Sequence, residues 1–142
     1  MNSDSALNIA AAVSGLLSLT IQITQATHQH TLNVTNLPRL LSCYIEELVC
    51  LKRVLVDVQD ALLFGPESAD MDDIQLLYLR TEEFETEMSQ LCTRLLTSQR
   101  PAKSQLLKRL FWPLQDEETS RWTERITQFR RRIQELVVVS GL

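Results

Sequence analysis

Residues 70–95 read DMDDIQLLYLRTEEFETEMSQLCTRL, and along them Ile74, Leu77, Thr81, Phe84, Met88, Leu91 and Leu95 recur at alternating spacings of three and four. That is the period of one face of an α-helix, and every position but Thr81 is apolar. Asp70, Asp72 and Asp73 gather at the start, where the helix dipole favours negative charge, and the Gly65-Pro66 turn separates the segment from what precedes it. Glu82, Glu83, Glu85 and Glu87 fall on the intervening faces, where an amphipathic helix is expected to meet solvent, so they read as solvated charge and not as a catalytic carboxylate pair.

Working outward, the same seam appears upstream in Leu41, Ile45, Leu48, Leu51, Leu55, Val58 and Leu62, with a start at Asn36 to Pro38 and an end near Phe64. Downstream, Trp122, Ile126, Phe129, Ile133, Leu136 and Val137 form the stripe of a long last helix. Between them, Pro101 and Pro113 bracket Leu106, Leu107, Leu110, Phe111 and Trp112, which predicts a short connector helix. A first helix is expected from about Ser5 to Gln29, apolar on nearly all its faces. With 142 residues, 3 Gly and 4 Pro, the chain suits one helical domain far better than a sheet with many tight turns. The expected fold is all-α, an antiparallel four-helix bundle with a short extra connector helix, its short connections making successive helices neighbours.

The residues that carry chemistry are sparse. There is no GxGxxG and no P-loop, and Gly15, Gly65 and Gly141 are too scattered for a loop that cradles phosphates. His28 and His30 stand two apart, on different faces of a helix and without flanking ligands, which predicts a surface or helix-end pair and no metal. Cys43 and Cys50 lie seven apart on one face, and Cys92 stands alone; no CxxC is present, so reduced thiols packed in a core are expected, in an intracellular compartment. No catalysis, cofactor, metal or small-molecule substrate is expected. Nucleic acid is not expected either, because the domain is acidic overall and its aromatic residues fall on the core stripe.

Charge is divided unevenly along the chain. Residues 1–93 hold 4 basic and 13 acidic side chains, a sum of −9, whereas residues 94–142 hold 10 basic and 5 acidic ones, a sum of +5. From residue 5 to residue 38 there is no Asp, Glu, Lys or Arg at all, a run of 34 residues. Within it Ala10, Ser14 and Ser18, and likewise Ala11 and Gly15, follow at spacings of four, so another helix can approach closely in water or in lipid. By burial pattern this uncharged helix belongs in the middle of a soluble bundle; released from it, the helix would enter a bilayer without desolvating any charge. In the basic third, Lys108 and Arg109 precede the Phe111-Trp112 pair, and Arg121, Arg125, Arg130, Arg131 and Arg132 follow. Such a cluster suits either a solvated face, in which Glu124 and Glu135 pair with neighbouring Arg, or anionic lipid headgroups, at about 1 kcal/mol for each basic residue near the surface.

Ala6-Leu7, the run AAAVSGLLSL from Ala10 to Leu19, the middle helix Glu46 to Leu63, and Arg109-Leu110-Phe111-Trp112-Pro113-Leu114 before the acidic opening Asp116 to Glu118 occur in this order along nearly the whole chain. In that order they resemble the HeLo-like N-terminal domain of fungal STAND cell-death proteins. The resemblance implies a helical bundle that rests in the cytoplasm, oligomerises with copies of itself and permeabilises the plasma membrane. It places the membrane-inserting and oligomerising residues at Leu7, Ile9, Val13, Gly15, Leu16, Leu17 and Ile21. Some members have a glycine-rich first helix, where this chain has Gly15 alone. Other members imply a second role, that of a non-toxic signalling adaptor acting by homotypic helical self-association with its own copies or with like domains of other proteins. The resemblance also implies that this is the N-terminal part of a longer receptor.

Overall fold

The computed structural model describes residues 3–32, 36–65, 70–97 and 112–142, with side chains from residue 7 onward. Four α-helices follow one another: α1 (Ser3–Thr31), α2 (Arg39–Phe64), α3 (Met71–Thr97) and α4 (Asp116–Ser140). No strand occurs among the described residues. The expected connector helix, with Lys108 and Arg109, lies outside them, apart from Trp112 to Gln115 on its C-terminal side.

The helix ends follow from local chemistry. Pro38, fixed at φ −56°, precedes α2, and its carbonyl accepts from Ser42 N at 3.0 Å. At the other end the Gly65 N–H donates to the Ala61 carbonyl at 2.8 Å, and a Cβ on Gly65 would stand 2.1 Å from that same oxygen, so only glycine fits. Asp70 caps α3: its Oδ1 accepts from the N–H of Asp72 at 2.9 Å and of Asp73 at 3.4 Å. Gly141 closes α4 in the left-handed region at φ 81°, its N–H donating to Val138 O and that of Leu142 to Val137 O. The Asp70 N–H also donates to Ser140 O at 3.0 Å, which ties the start of α3 to the end of α4.

Successive helices alternate in direction. Thr27 meets Tyr44, and Ser14 meets Gln59, so α1 and α2 are antiparallel. Arg94 pairs with Glu118 and Phe84 stacks on Phe129, so α3 and α4 are antiparallel too. Adjacency differs from the expectation. α1 packs on α2 and α3, α4 packs on the same two, and α2 and α3 lie across a diagonal although few residues join them. A link from Gly65 to Asp70 can extend roughly 17 Å, whereas the diagonal of a bundle with 8–10 Å between neighbouring axes is about 13 Å. A short connection fixes direction here and leaves the neighbour open.

The core is a single cluster drawn from all four helices, among them Ile9, Val13, Leu16 and Ile23 of α1, Leu48, Leu51 and Leu55 of α2, Ile74, Met88 and Leu91 of α3, and Ile126 and Ile133 of α4. Thr81, the polar member of the α3 seam, is fully buried and donates its hydroxyl to Leu77 O at 2.8 Å, which removes the cost of burying it. In α2 it is Tyr44, not Ile45, that is wholly buried; Ile45 packs at the margin. The Phe84 and Phe129 rings stack at 4.1 Å and close the α3–α4 seam.

Candidate functional site

Helix α1 is a corner of the bundle. Ile9, Val13 and Leu16 point into the core, Gly15, Leu17 and Ile21 are half-buried, and Leu7 is exposed. The outward face carries Asn8, Ala11, Ser14, Ser18 and Gln25, so it is neutral and made of small or polar side chains. The all-round apolar character read from the sequence therefore resolves into an apolar inner face and a neutral outer one. By length and composition the segment Leu7–Thr31 can cross a bilayer, and 39% of its most apolar window is buried inside the bundle. A core helix of a soluble bundle has these same properties.

Neutral contacts hold α1 in place. Gln59 Nε2 donates to Ser14 Oγ at 2.6 Å on the α2 side, and the Thr27 and Tyr44 hydroxyls lie 3.3 Å apart in the interior. Burial pushes the Tyr44 phenol far above its ordinary pKa, with Thr27 opposing the shift, so it stays a neutral hydrogen-bonding group. His28 and His30 both lie in the last turn of α1, as a helix-end pair does; His28 is exposed, whereas His30 is not at the surface but buried, its Nε2 3.1 Å from Leu95 O and its ring edge-on to Trp112 at 6.0 Å. The Trp112 ring also lies 5.5 Å from that of Tyr44, and its Nε1 donates to Thr119 Oγ1 at 3.0 Å. Trp112 thus plugs the end of the bundle where α1 finishes, a role that sequence periodicity had no means of assigning.

Gly15 faces α3. A Cβ there would stand 2.9 Å from Glu85 Oε1, so the bare backbone makes room for a carboxylate that leans on α1. Glu85 is half-buried, unlike the exposed Glu82 and Glu83, and this departs from the solvated row read from the sequence. Loss of hydration, then the neighbouring Glu82 charge, raises its pKa, because α1 offers no cation to balance it. Gly15 therefore does not serve a glycine-to-glycine helix contact in this packing. Cys43 and Cys50 are half-buried and Cys92 is buried, and all three thiols are free. Cys92 Sγ lies 3.8 Å from Gln22 Oε1, and burial raises its thiol pKa.

The basic residues of α4 separate into two groups. Arg121, Arg125, Arg131 and Arg132 are exposed. Arg130 is committed inside the bundle: its Nε and Nη2 donate to both oxygens of Glu47 at 3.0 and 3.3 Å, and its Nη1 to Gln134 at 3.3 Å. Three of its five N–H donors are thereby engaged, and its side chain is only 18% exposed. The Arg125 guanidinium lies 5.3 Å from the Trp122 ring, a cation–π distance. Arg125 and Arg132 also border a shallow groove between α3 and α4 that contains Arg80, Glu83 and Glu87, so carboxylates offset part of their charge. No group of three or more metal-ligating side chains occurs among the described residues. No protein-family model, curated protein or solved structure matches the chain.

Proposed function

We propose that this domain is a membrane-permeabilising cell-death effector: it rests as a soluble bundle and, once activated and oligomerised, releases α1 into the plasma membrane. The observation that carries the reading is the way α1 is held. It has no charged side chain from residue 5 to its end, and the three ion pairs among the described residues, Arg80–Glu83, Arg94–Glu118 and Arg130–Glu47, all lie in the other helices. Release therefore breaks apolar packing and a few neutral hydrogen bonds, and the bilayer returns the apolar part. Arg121, Arg125, Arg131 and Arg132 supply the anionic-lipid contact. The resemblance to HeLo-like domains supports the same assignment.

A tether tests it. In a background of Cys43→Ser, Cys50→Ser and Cys92→Ala, the pair Ser14→Cys and Gln59→Cys is bridged with a short cleavable dimaleimide, since the native side chains touch at 2.6 Å. Dye release from anionic vesicles should stop when α1 is tethered to α2 and resume after cleavage. Equal leakage in both states would refute the release of α1.

A further inference from the structure

One end of the bundle combines exposed apolar surface with charge of a single sign. The N-terminus of α1, the C-terminus of α2, the N-terminus of α3 and the C-terminus of α4 all meet there, as the Ser14–Gln59 contact and the Asp70–Ser140 hydrogen bond require. Phe64 is 84% exposed and Val138 80%, and Leu7, Leu63, Met71 and Val139 are exposed with them. Single exposed apolar residues are ordinary; six at one end of a domain this size are not. Around them stand Asp57 and Asp60 of α2, Asp70, Asp72 and Asp73 of α3, and Glu135 of α4. Residues 7–14, 57–65, 70–76 and 135–142, which build this end, contain no Lys, Arg or His.

That combination selects its occupant. An anionic bilayer is repelled by the carboxylates, and a neutral apolar partner would bury them without counter-charges. A segment that is both cationic and apolar satisfies the two features together. The chain contains such a segment: residues 98–111, SQRPAKSQLLKRLF, carry Arg100, Lys103, Lys108 and Arg109 with Leu106, Leu107, Leu110 and Phe111, and no acidic residue. It is anchored at the wrong end to serve its own copy. Both Thr97 and Trp112 lie at the opposite end of the bundle, and the 27 residues of α3 separate the two ends by about 40 Å. A 14-residue stretch that must go out and return reaches roughly 25 Å.

We propose that the acidic, apolar end of one copy docks the 98–111 stretch of a second copy, giving a head-to-tail contact that repeats from copy to copy. Lys108 and Arg109, read from the sequence as lipid ligands, then serve a protein contact. The inference deepens the self-association already proposed, and its test reads association in solution and not leakage, so its failure leaves the release of α1 untouched.

The experiment is sedimentation velocity on the full chain over a concentration series. The wild type should associate, and raising the salt from about 0.05 to about 0.5 M should weaken association about tenfold. Two charge-reversed variants follow, one with Lys103→Glu, Lys108→Glu and Arg109→Glu, the other with Asp60→Lys, Asp72→Lys and Glu135→Lys; Asp70 is spared because it caps α3. Each should be monomeric alone with native helicity, and an equimolar mixture should associate again because the reversed charges match. Phe64→Ser should weaken association without changing its salt dependence. A monomeric wild type overturns the proposal, as does association that survives in both variants or a mixture that stays monomeric. A monomer that binds neutral vesicles through Phe64 would also overturn it, by giving this end to a bilayer.

Discussion

If release of α1 is resisted by its packing, then weakening that packing should increase membrane activity even though it removes apolar surface from the inserting helix. Leu16→Ala separates the two effects. Leu16 is wholly buried in the core, and truncating such a leucine costs about 3 kcal/mol, from lost transfer energy and the cavity left behind. All of that cost falls on the docked state. The inserted state loses only about 0.5 kcal/mol, the contribution of one leucine in a bilayer. The docked-to-inserted balance therefore moves by roughly 2.5 kcal/mol, nearly a hundredfold. Leu7→Ala is the control with the opposite sign. Leu7 is 60% exposed, so its removal hardly touches the bundle and leaves only the small loss on insertion. Dye release from anionic vesicles at sub-saturating protein should rise more than tenfold in Leu16→Ala, whose melting temperature falls by about 10 °C. It should drop slightly in Leu7→Ala, whose melting temperature stays within about 2 °C of the wild type. Leakage that falls in both variants, with Leu16→Ala still helical at the assay temperature, would refute the reasoning, because docking would then not be what restrains α1.

Three further outcomes follow from the same contacts. Arg130→Ala leaves the half-buried Glu47 without its bidentate partner and should lose about 1–2 kcal/mol in urea unfolding, while exposed Arg131→Ala stays within about 0.5 kcal/mol. Gly15→Ala should stabilise the bundle by roughly 0.5 kcal/mol in the same measurement, since the helix gains propensity and the atom in the way is the movable end of Glu85. The pKa of Glu85 is raised in the folded protein, so the folded state binds more protons than the unfolded one just above the unfolded value, and its contribution to stability falls as pH rises through that window. Glu85→Gln should remove that part of the decline, melting above the wild type at neutral pH and level with it at a pH below both values.

The helices were legible because their seams are long and regular: all seven α3 positions read from spacing are buried, and Asp70 caps that helix as its place in the sequence suggested. What the pattern does not encode is which helices touch. The α2–α3 diagonal depends on packing around the whole ring, and one-dimensional periodicity contains no information about it. Tyr44 displaced Ile45 because its hydroxyl finds Thr27, a partner 17 residues away. Arg130 is half-buried for the same reason, since the Glu47 that engages it lies 83 residues back. Glu85 became half-buried because Gly15, 70 residues earlier, leaves it room. In each case the local signal was sound and a distant residue decided the outcome.

The two proposals constrain one another. The N-terminus of α1 lies at the end that carries only carboxylates, and about 1 kcal/mol per charge near an anionic surface becomes several kcal/mol of repulsion there. A lone copy would therefore approach such a membrane with this end turned away. Docking of residues 98–111 from a second copy brings four basic side chains against the six carboxylates, which removes most of that repulsion where α1 begins. Self-association then precedes insertion for an electrostatic reason, and leakage from anionic vesicles should rise more steeply than the first power of protein concentration. The variant with Asp60, Asp72 and Glu135 changed to Lys has lost both the repulsion and the docking. It should bind anionic vesicles in direct proportion to concentration while remaining monomeric in solution. First-order leakage by the wild type, at concentrations that span its association, would break this link between the two.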